Sequence, residues 1–182
     1  VSIKLERNME PYICEFQKPV KAMEIGVFEG QSSKWIIENL CSHEDSMLIG
    51  IDPYVDISLP KMMFIKDYSQ NVMLKNEFWQ DFDFIHIDGH HTVISVMRDF
   101  VFTWPLLKVD GIMVFDDYGM KFRDGVKVAV DTILHGLGKQ KWRESKCELL
   151  FVGYQIGIRK IADSFVTHEE HSNRLDKLRK HE

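Results

Sequence analysis

The chain has 182 residues, enough for one domain with a substantial apolar core. Its formal net charge is −5 and no lysine- or arginine-rich block interrupts the body, which disfavours nucleic acid as a partner. No stretch is long and apolar enough to span a membrane. The chain opens on Val1 without a signal-peptide pattern, so a few preceding residues and a cytoplasmic location are expected. Cys14, Cys41 and Cys147 form no C-x-x-C pair and are expected as reduced thiols that fill space as small hydrophobes.

Short β-prone runs alternate with amphipathic ones. "VKAMEIGVF" reads as a strand ending at a glycine, and "SSKWIIENL" as a helix opened by serine caps. "SMLIGIDP" is a second strand, stopped by Pro53. "KMMFIKD" is a third, with a helix expected from Ser69 to Asn76. "FDFIHID" is the fourth, and "VISVMRDFVFTWPLL" the helix after it, with Val93, Val96, Met97, Phe100 and Val101 on one face. "GIMVFDD" is the fifth strand, followed by the helix "GVKVAVDTILHGL", ended by Gly136 or Gly138. This order predicts an α/β fold, a parallel sheet with helices on both faces. "CELLFVGYQIGIRK" holds two strands around Gly153, too close together for a helical crossover, so the sheet finishes in an antiparallel hairpin. Residues 1–162 form the single domain. Residues 163–182 form a charged helix or tail: "THEEHSNRLDKLRKHE" opens with the capping box of Thr167 and Glu170 but has a thin apolar face, chiefly Leu175 and Leu178.

An open parallel sheet binds ligands at the carboxyl ends of its strands. The first such end runs from Glu24 to Ser32, where Gly26 and Gly30 let backbone approach a ligand and the next helix offers free N–H groups. The spacing is neither G-x-G-x-x-G nor a Walker loop. Glu24 and Glu29 would repel a pyrophosphate and welcome a ligand carrying an ammonium and a sulfonium. Asp52 closes the second strand, where an acid accepts both ribose hydroxyls. On the plainer reading the two glycines only make a tight turn.

Two more strands end in carboxylates, the fourth in Asp88 and the fifth in Asp116 and Asp117. As sheet neighbours these ends would lie about 5 Å apart. At that distance either one carboxyl stays protonated or a cation sits between them. All-oxygen ligation favours a hard divalent ion, Mg²⁺ first, with Mn²⁺ or Ca²⁺ as alternatives. The metal-free reading has Asp117 capping a turn. His91 either takes a proton from an acceptor hydroxyl or caps the helix starting at Thr92, while His90 points at solvent. His86, inside a strand, reads as a core histidine. Tyr118 and Lys121 are candidates to face a substrate, and Trp35, Trp79, Trp104 and Trp142 read as packing.

"EIGVFEGQSS", "KDYSQ", "IDGHH" and "LLKVDGIMVFDDYG" together resemble the class I S-adenosylmethionine-dependent methyltransferases, more narrowly methyltransferase family 24, related to macrocin-type and catechol-type O-methyltransferases. The resemblance runs from about Ala22 to Ile158. It implies a Rossmann-like doubly wound sheet of seven strands, mostly parallel with an antiparallel C-terminal hairpin strand. By the same resemblance Glu24, Gly26, Gly30 and Ser32 line the methionine part of the cofactor, Asp52 holds the ribose, and Asp67 and Ser69 lie near the adenine. Asp88, Asp116 and Asp117 fall on the metal positions, with Asp88 also beside the cofactor. The catechol-type pattern has asparagine where Asp117 stands, and the macrocin-type has acids. His91 matches the histidine of "D-G-x-H" and is expected, with Asp88, as the catalytic pair.

The expected activity is S-adenosylmethionine-dependent, metal-assisted O-methylation of a small hydroxylated molecule such as a sugar or phenol. A metal-free O- or N-methyltransferase is one alternative, and a non-catalytic cofactor-binding or scaffold domain another, the latter because little chain precedes the first strand to build a substrate lid. A nicotinamide oxidoreductase is the weakest. Expected partners are the acceptor and a second copy of the chain, docked through the N-terminal region or the C-terminal helix.

Overall fold

The computed structural model describes residues 2–75, 81–121, 124–138 and 145–163. Seven strands form one sheet: β1 (Lys21–Ile25), β2 (Met47–Ile51), β3 (Met62–Ile65), β4 (Phe82–Ile87), β5 (Leu107–Phe115), β6 (Cys147–Val152) and β7 (Ile156–Lys160). Their spatial order is β3-β2-β1-β4-β5-β7-β6. The first five run parallel, and β7 lies antiparallel between β5 and β6, as the Gly153 spacing predicts. The chain winds outward from β1 to β3 and then from β4 to β6, so the direction of winding reverses between β1 and β4. That is where an open α/β sheet leaves a crevice.

Five α-helices accompany the sheet: α1 (Ser2–Met9), α2 (Gln31–Asn39), α3 (Ser69–Lys75), α4 (Val93–Thr103) and α5 (Gly125–Leu137). Strand side chains alternate between faces. Ala22, Leu48, Phe84, Ile112 and Val114 meet Leu5, Met9, Phe16, Trp35, Ile36 and Leu40 on one side. Met23, Ile49, Ile85, Met113 and Phe115 meet Val96, Phe100, Val126, Val130 and Ile133 of α4 and α5 on the other. β4 is buried at every position, which is why its sequence reads as a continuous apolar run. Each fully buried large side chain of this kind contributes roughly 1.5–3 kcal/mol.

Several expectations are corrected. Serines do not cap α2. Its N-cap is Gly30, left-handed at φ 73°, and Ser32 and Ser33 lie inside the helix, where Ser33 donates to the Glu24 carboxylate. A Cβ on Gly30 would come within 2.2 Å of Ile57 Cδ1, so both conformation and space call for glycine there. At the other end Lys61 Nζ donates to the carbonyls of Cys41, Ser42 and His43 at 2.9, 2.9 and 2.7 Å, a cation at the negative end of the helix. Val101 is 57% exposed. Val93, Val96, Met97 and Phe100 pack on the core as expected, and together with buried Asp99 and Thr103 they make an inward face that leaves Val101 out. Cys14 is exposed rather than buried, whereas Cys41 is buried. α1 and the 3-10 turn after it (Glu10–Phe16) had no counterpart in the sequence expectations.

Gly138 is the C-cap of α5. Trp35 and Trp104 are buried. The expected capping box at Thr167 and Glu170, Leu175 and Leu178, and also Asn76, Trp79 and Trp142, lie outside the described residues. Among the described residues no helix is long and apolar enough to cross a membrane.

Candidate functional site

A cavity of about 660 Å³ opens at the carboxyl ends of β1, β2, β4 and β5. Of the residues the sequence singles out, Gly26, Asp52, Ser69, Asp88, His91, Asp116 and Asp117 line it, and so does His90. Glu24, Gly30, Ser32 and Asp67 are not on its wall, nor are Tyr118 and Lys121. The Tyr118 hydroxyl instead donates to Asp131 on α5 at 2.8 Å and accepts from Lys127.

Gly26, at φ 88°, is wedged between strands. Its N–H donates to Ile51 O at 2.9 Å, and a Cβ would lie 2.0 Å from the carbonyl oxygen of Asp88. Asp52 has a second job that spacing alone does not reveal. Its Oδ2 accepts from the backbone N–H groups of Val27 and Phe28, both at 3.0 Å, and its Oδ1 accepts from Tyr54 N–H at 2.8 Å. The carboxylate therefore fastens the first loop to the end of β2. Asp52→Ala would strand three backbone donors, and we expect a loss of about 1–3 kcal/mol, read from urea denaturation. A variant as stable as the parent would show that water satisfies the loop equally well.

Beneath the cavity lies a buried charged chain. Glu24, 1% exposed, accepts from Ser33 and has Oε1 3.0 Å from His86 Nδ1. His86 Nε2 is 3.7 Å from Asp116 Oδ2, a charge contact rather than a hydrogen bond. Burial alone would push the imidazolium pKa down, but Asp116 and Glu24 outweigh it and raise the value to about 10. His86 is thus a core histidine, as its place in a strand suggests, but a charged one that braces β1, β4 and the end of β5.

The acids at the strand ends part company. Asp116 faces inward: its Oδ1 accepts from Asp117 N–H at 2.7 Å and its Oδ2 from Gln155 Nε2 at 3.0 Å. Burial works against its charge, yet His86 and Gln155 leave its pKa below the ordinary range, so it stays ionised. Asp117, at φ 57°, turns the other way, with Oδ2 3.1 Å from His91 Nδ1. Asp88 Oδ1 lies 3.6 Å from His91 Nε2. Burial pushes the Asp88 carboxyl up; His91 and His86 oppose that, and Asp116 and Asp117 add to it. The cap of α4 is Thr92, whose Oγ1 accepts from Ser95 N–H at 3.3 Å, so the His91 ring faces the acids instead of capping the helix.

Among the described residues, two sets of potential metal donors have all their atoms within 4.8 Å: His86, Asp88 and Asp116, and Asp88, His91 and Asp117. Asp88 belongs to both, while the three carboxylates do not form one such set. Converging carboxylates around Asp88 suit a hard divalent cation.

At the opposite wall Tyr68, Ser69 and Gln70 line the cavity, and Ser69 Oγ donates to Asp99 Oδ1 at 2.6 Å. Asp67 is turned along α3, where Lys75, Asn71 and Tyr68 N–H hold its pKa at about 2. Sequence reading missed Asp99, which is disguised as one polar position within an apolar helix. It also missed Tyr154 and Gln155, which sit in a hairpin turn far along the chain from the acids.

Three solved structures share this architecture. The MycE methyltransferase from the mycinamycin biosynthetic pathway, in complex with Mg and SAH, is 15% identical with a TM-score of 0.62, over 96% of this chain and 54% of that one. The O-methyltransferase TomG from Streptomyces achromogenes, in complex with SAM, is 15% identical with a TM-score of 0.63, over 89% and 82%. An O-methyltransferase from Bacillus cereus, in complex with SAH, is 11% identical with a TM-score of 0.63, over 88% and 82%. At these identities the likeness is one of fold, and the chain spans about half the length of MycE. No curated protein matches it in sequence. A family model described as a methyltransferase domain, methyltransferase family 24, matches residues 23–118, just over half of the chain and all of the strands that carry the acids. The chain therefore belongs to that family, within the class I S-adenosylmethionine-dependent methyltransferases.

Proposed function

We propose that the protein transfers the methyl group of S-adenosylmethionine to a hydroxyl oxygen of a small molecule, a sugar or a phenol, with a divalent cation assisting. The observation that carries this reading is the meeting of Asp88, Asp117 and His91 at the rim of a cavity whose floor is the Gly26 loop. MycE, whose structure holds Mg and SAH, supports the metal by analogy. Asp88 and Asp117 would hold the cation, Mg²⁺ before Mn²⁺ or Ca²⁺, and Asp116, in the other set with Asp88, would join them only by turning from His86. When bound, it lowers the pKa of an acceptor hydroxyl. His91 takes the proton of that hydroxyl, and Asp117 at 3.1 Å stabilises the imidazolium that results. S-adenosylmethionine, held at the Gly26 loop, would supply the methyl group from its sulfonium to that oxygen and be left as S-adenosylhomocysteine. The chain contributes mainly by aligning oxygen, methyl and sulfur.

Ser69, Tyr68 and Gln70 face the adenine on this reading, with Gly26 close to the methionine part. Glu24, Gly30 and Ser32 support the loop from below. Asp52 keeps about one of its four lone-pair sites for a ribose hydroxyl, since three backbone donors occupy the rest. The three widely spaced cysteines support a cytoplasmic location. The second reading, a metal-free transferase with His91 as base, draws on the same His91–Asp117 pair, which needs no metal to form.

Calorimetric titration with S-adenosylhomocysteine, with Mg²⁺ and again in EDTA, tests the proposal. We expect cofactor binding in both, Mg²⁺ binding in the wild type, and loss of Mg²⁺ binding in Asp88→Asn. Cofactor binding without a Mg²⁺ signal would move the assignment to the metal-free transferase. No cofactor binding at all would sink both.

A further inference from the structure

The β6–β7 hairpin closes in a turn whose last two residues lie at the acidic pair, Gln155 bonded to Asp116 and Tyr154 on the same cavity wall as Asp117. Gln155 is 0% exposed and donates from Nε2 to Asp116 Oδ2 at 3.0 Å, while its Oε1 accepts from Asn8 Nδ2 of α1, also at 3.0 Å. Tyr154 lines the cavity with Asp117, and burial first and then Asp117 push its phenol pKa up. The two loops are also fixed to each other through backbone. Gly119 N–H donates to Tyr154 O at 2.9 Å, and a Cβ on Gly119 would lie 2.7 Å from Gly153 O. The loop that carries the acids and the turn that carries their partners therefore move as one piece.

This explains how neighbouring residues point apart. A carboxylate rotates over a broad range about its last torsion unless something holds it. Asp116 is held against His86, at 3.7 Å, and Asp117 against His91, at 3.1 Å. We infer that Tyr154 and Gln155 are positioning residues of the site, Gln155 keeping Asp116 turned inward and Tyr154 keeping Asp117 turned to His91, with Asn8 extending that support to the N-terminal helix. Groups behind metal-holding carboxylates orient them and set affinity. That consequence rests on the metal reading above; the orienting role does not.

The test uses the full chain with ¹³C-labelled histidine, its ring signals assigned with His86→Gln and His91→Gln. Gln155→Met, of similar volume but without donor or acceptor, will shift the His86 signal and leave His91 in place. Tyr154→Phe will shift His91 and leave His86. Asn8→Ala will move His86 in the same sense as Gln155→Met, by less. Both site variants will bind Mg²⁺ roughly 10–100-fold more weakly, and Gln155→Met, whose side chain is not on the cavity wall, will keep its affinity for S-adenosylhomocysteine in EDTA. Variants that shift both histidines alike, or neither, would overturn the inference. If Gln155→Met does not fold, Tyr154→Phe and Asn8→Ala decide the question by the same pattern. A wild type that binds no Mg²⁺ would remove the metal reading, and the histidine pattern would still judge the positioning.

Discussion

Gly26→Ala will destabilise the protein by at least about 3 kcal/mol and take cofactor binding with it. Two independent causes act at this position. The residue sits at φ 88°, where a side chain is strained, and its Cβ would be 2.0 Å from the Asp88 carbonyl oxygen and 2.5 Å from the carbonyl carbon. Neither atom is the free end of a side chain, so relief requires the end of β4 to move. That end is tied to β1, because Asp88 N–H donates to Ile25 O at 2.8 Å. Moving it displaces Asp88, the residue common to both donor sets. Thermal denaturation and S-adenosylhomocysteine titration on one preparation check both parts. Gly30→Ala separates the causes, since it shares the positive φ but its Cβ would meet side-chain ends, Ile57 Cδ1 at 2.2 Å and Leu59 Cδ1 at 3.6 Å, rather than backbone. We expect a smaller loss there. A stable Gly26→Ala with normal cofactor affinity would mean that the two strand ends are looser than their hydrogen bonds imply.

The other large effect concerns His86. Replacing it with leucine leaves Glu24 and Asp116, 1% and 4% exposed, without the cation between them. Removing one partner of a buried charge cluster costs on the order of 3–5 kcal/mol. The same group makes stability depend on pH. Its pKa is raised from the ordinary 6.5 to about 10 on folding, so the folded state holds a proton that the unfolded chain releases. The contribution is complete below pH 6.5 and fades as pH rises toward 10. In EDTA, the difference in melting temperature between wild type and His86→Gln will therefore shrink as pH rises from 7 to 10. A difference that stays constant or grows would mean that His86 is neutral in the folded protein, and the brace between Glu24 and Asp116 would have to be an ordinary hydrogen bond.

Much of the scaffold was legible because burial writes itself into sequence. β4 lies at the centre of a sheet covered on both sides, so "FDFIHI" could hardly be other than apolar, and a run of that kind identifies itself. The hairpin was legible from chain length alone, since a few residues around Gly153 cannot cross a sheet. The places of Asp88, Asp116 and Asp117 followed from the ends of those runs. Local chemistry was less informative where two mechanisms compete for one role. Serines next to a helix start suggest caps, yet a left-handed Gly30 made the turn and left Ser33 to pair with Glu24.

The sequence by itself determined the sheet, the crevice and the acids that line it, because those depend on patterns of a few residues repeated along the chain. Tertiary structure alone decided which way each acid faces. The partner that holds Asp116 comes from 39 residues away, and the one that steadies that partner from 147. No local pattern encodes such contacts. They arise only when the folded sheet brings α1, the end of β5 and the last hairpin together, and there they separate two adjacent aspartates, one turned to His86 and the other to His91.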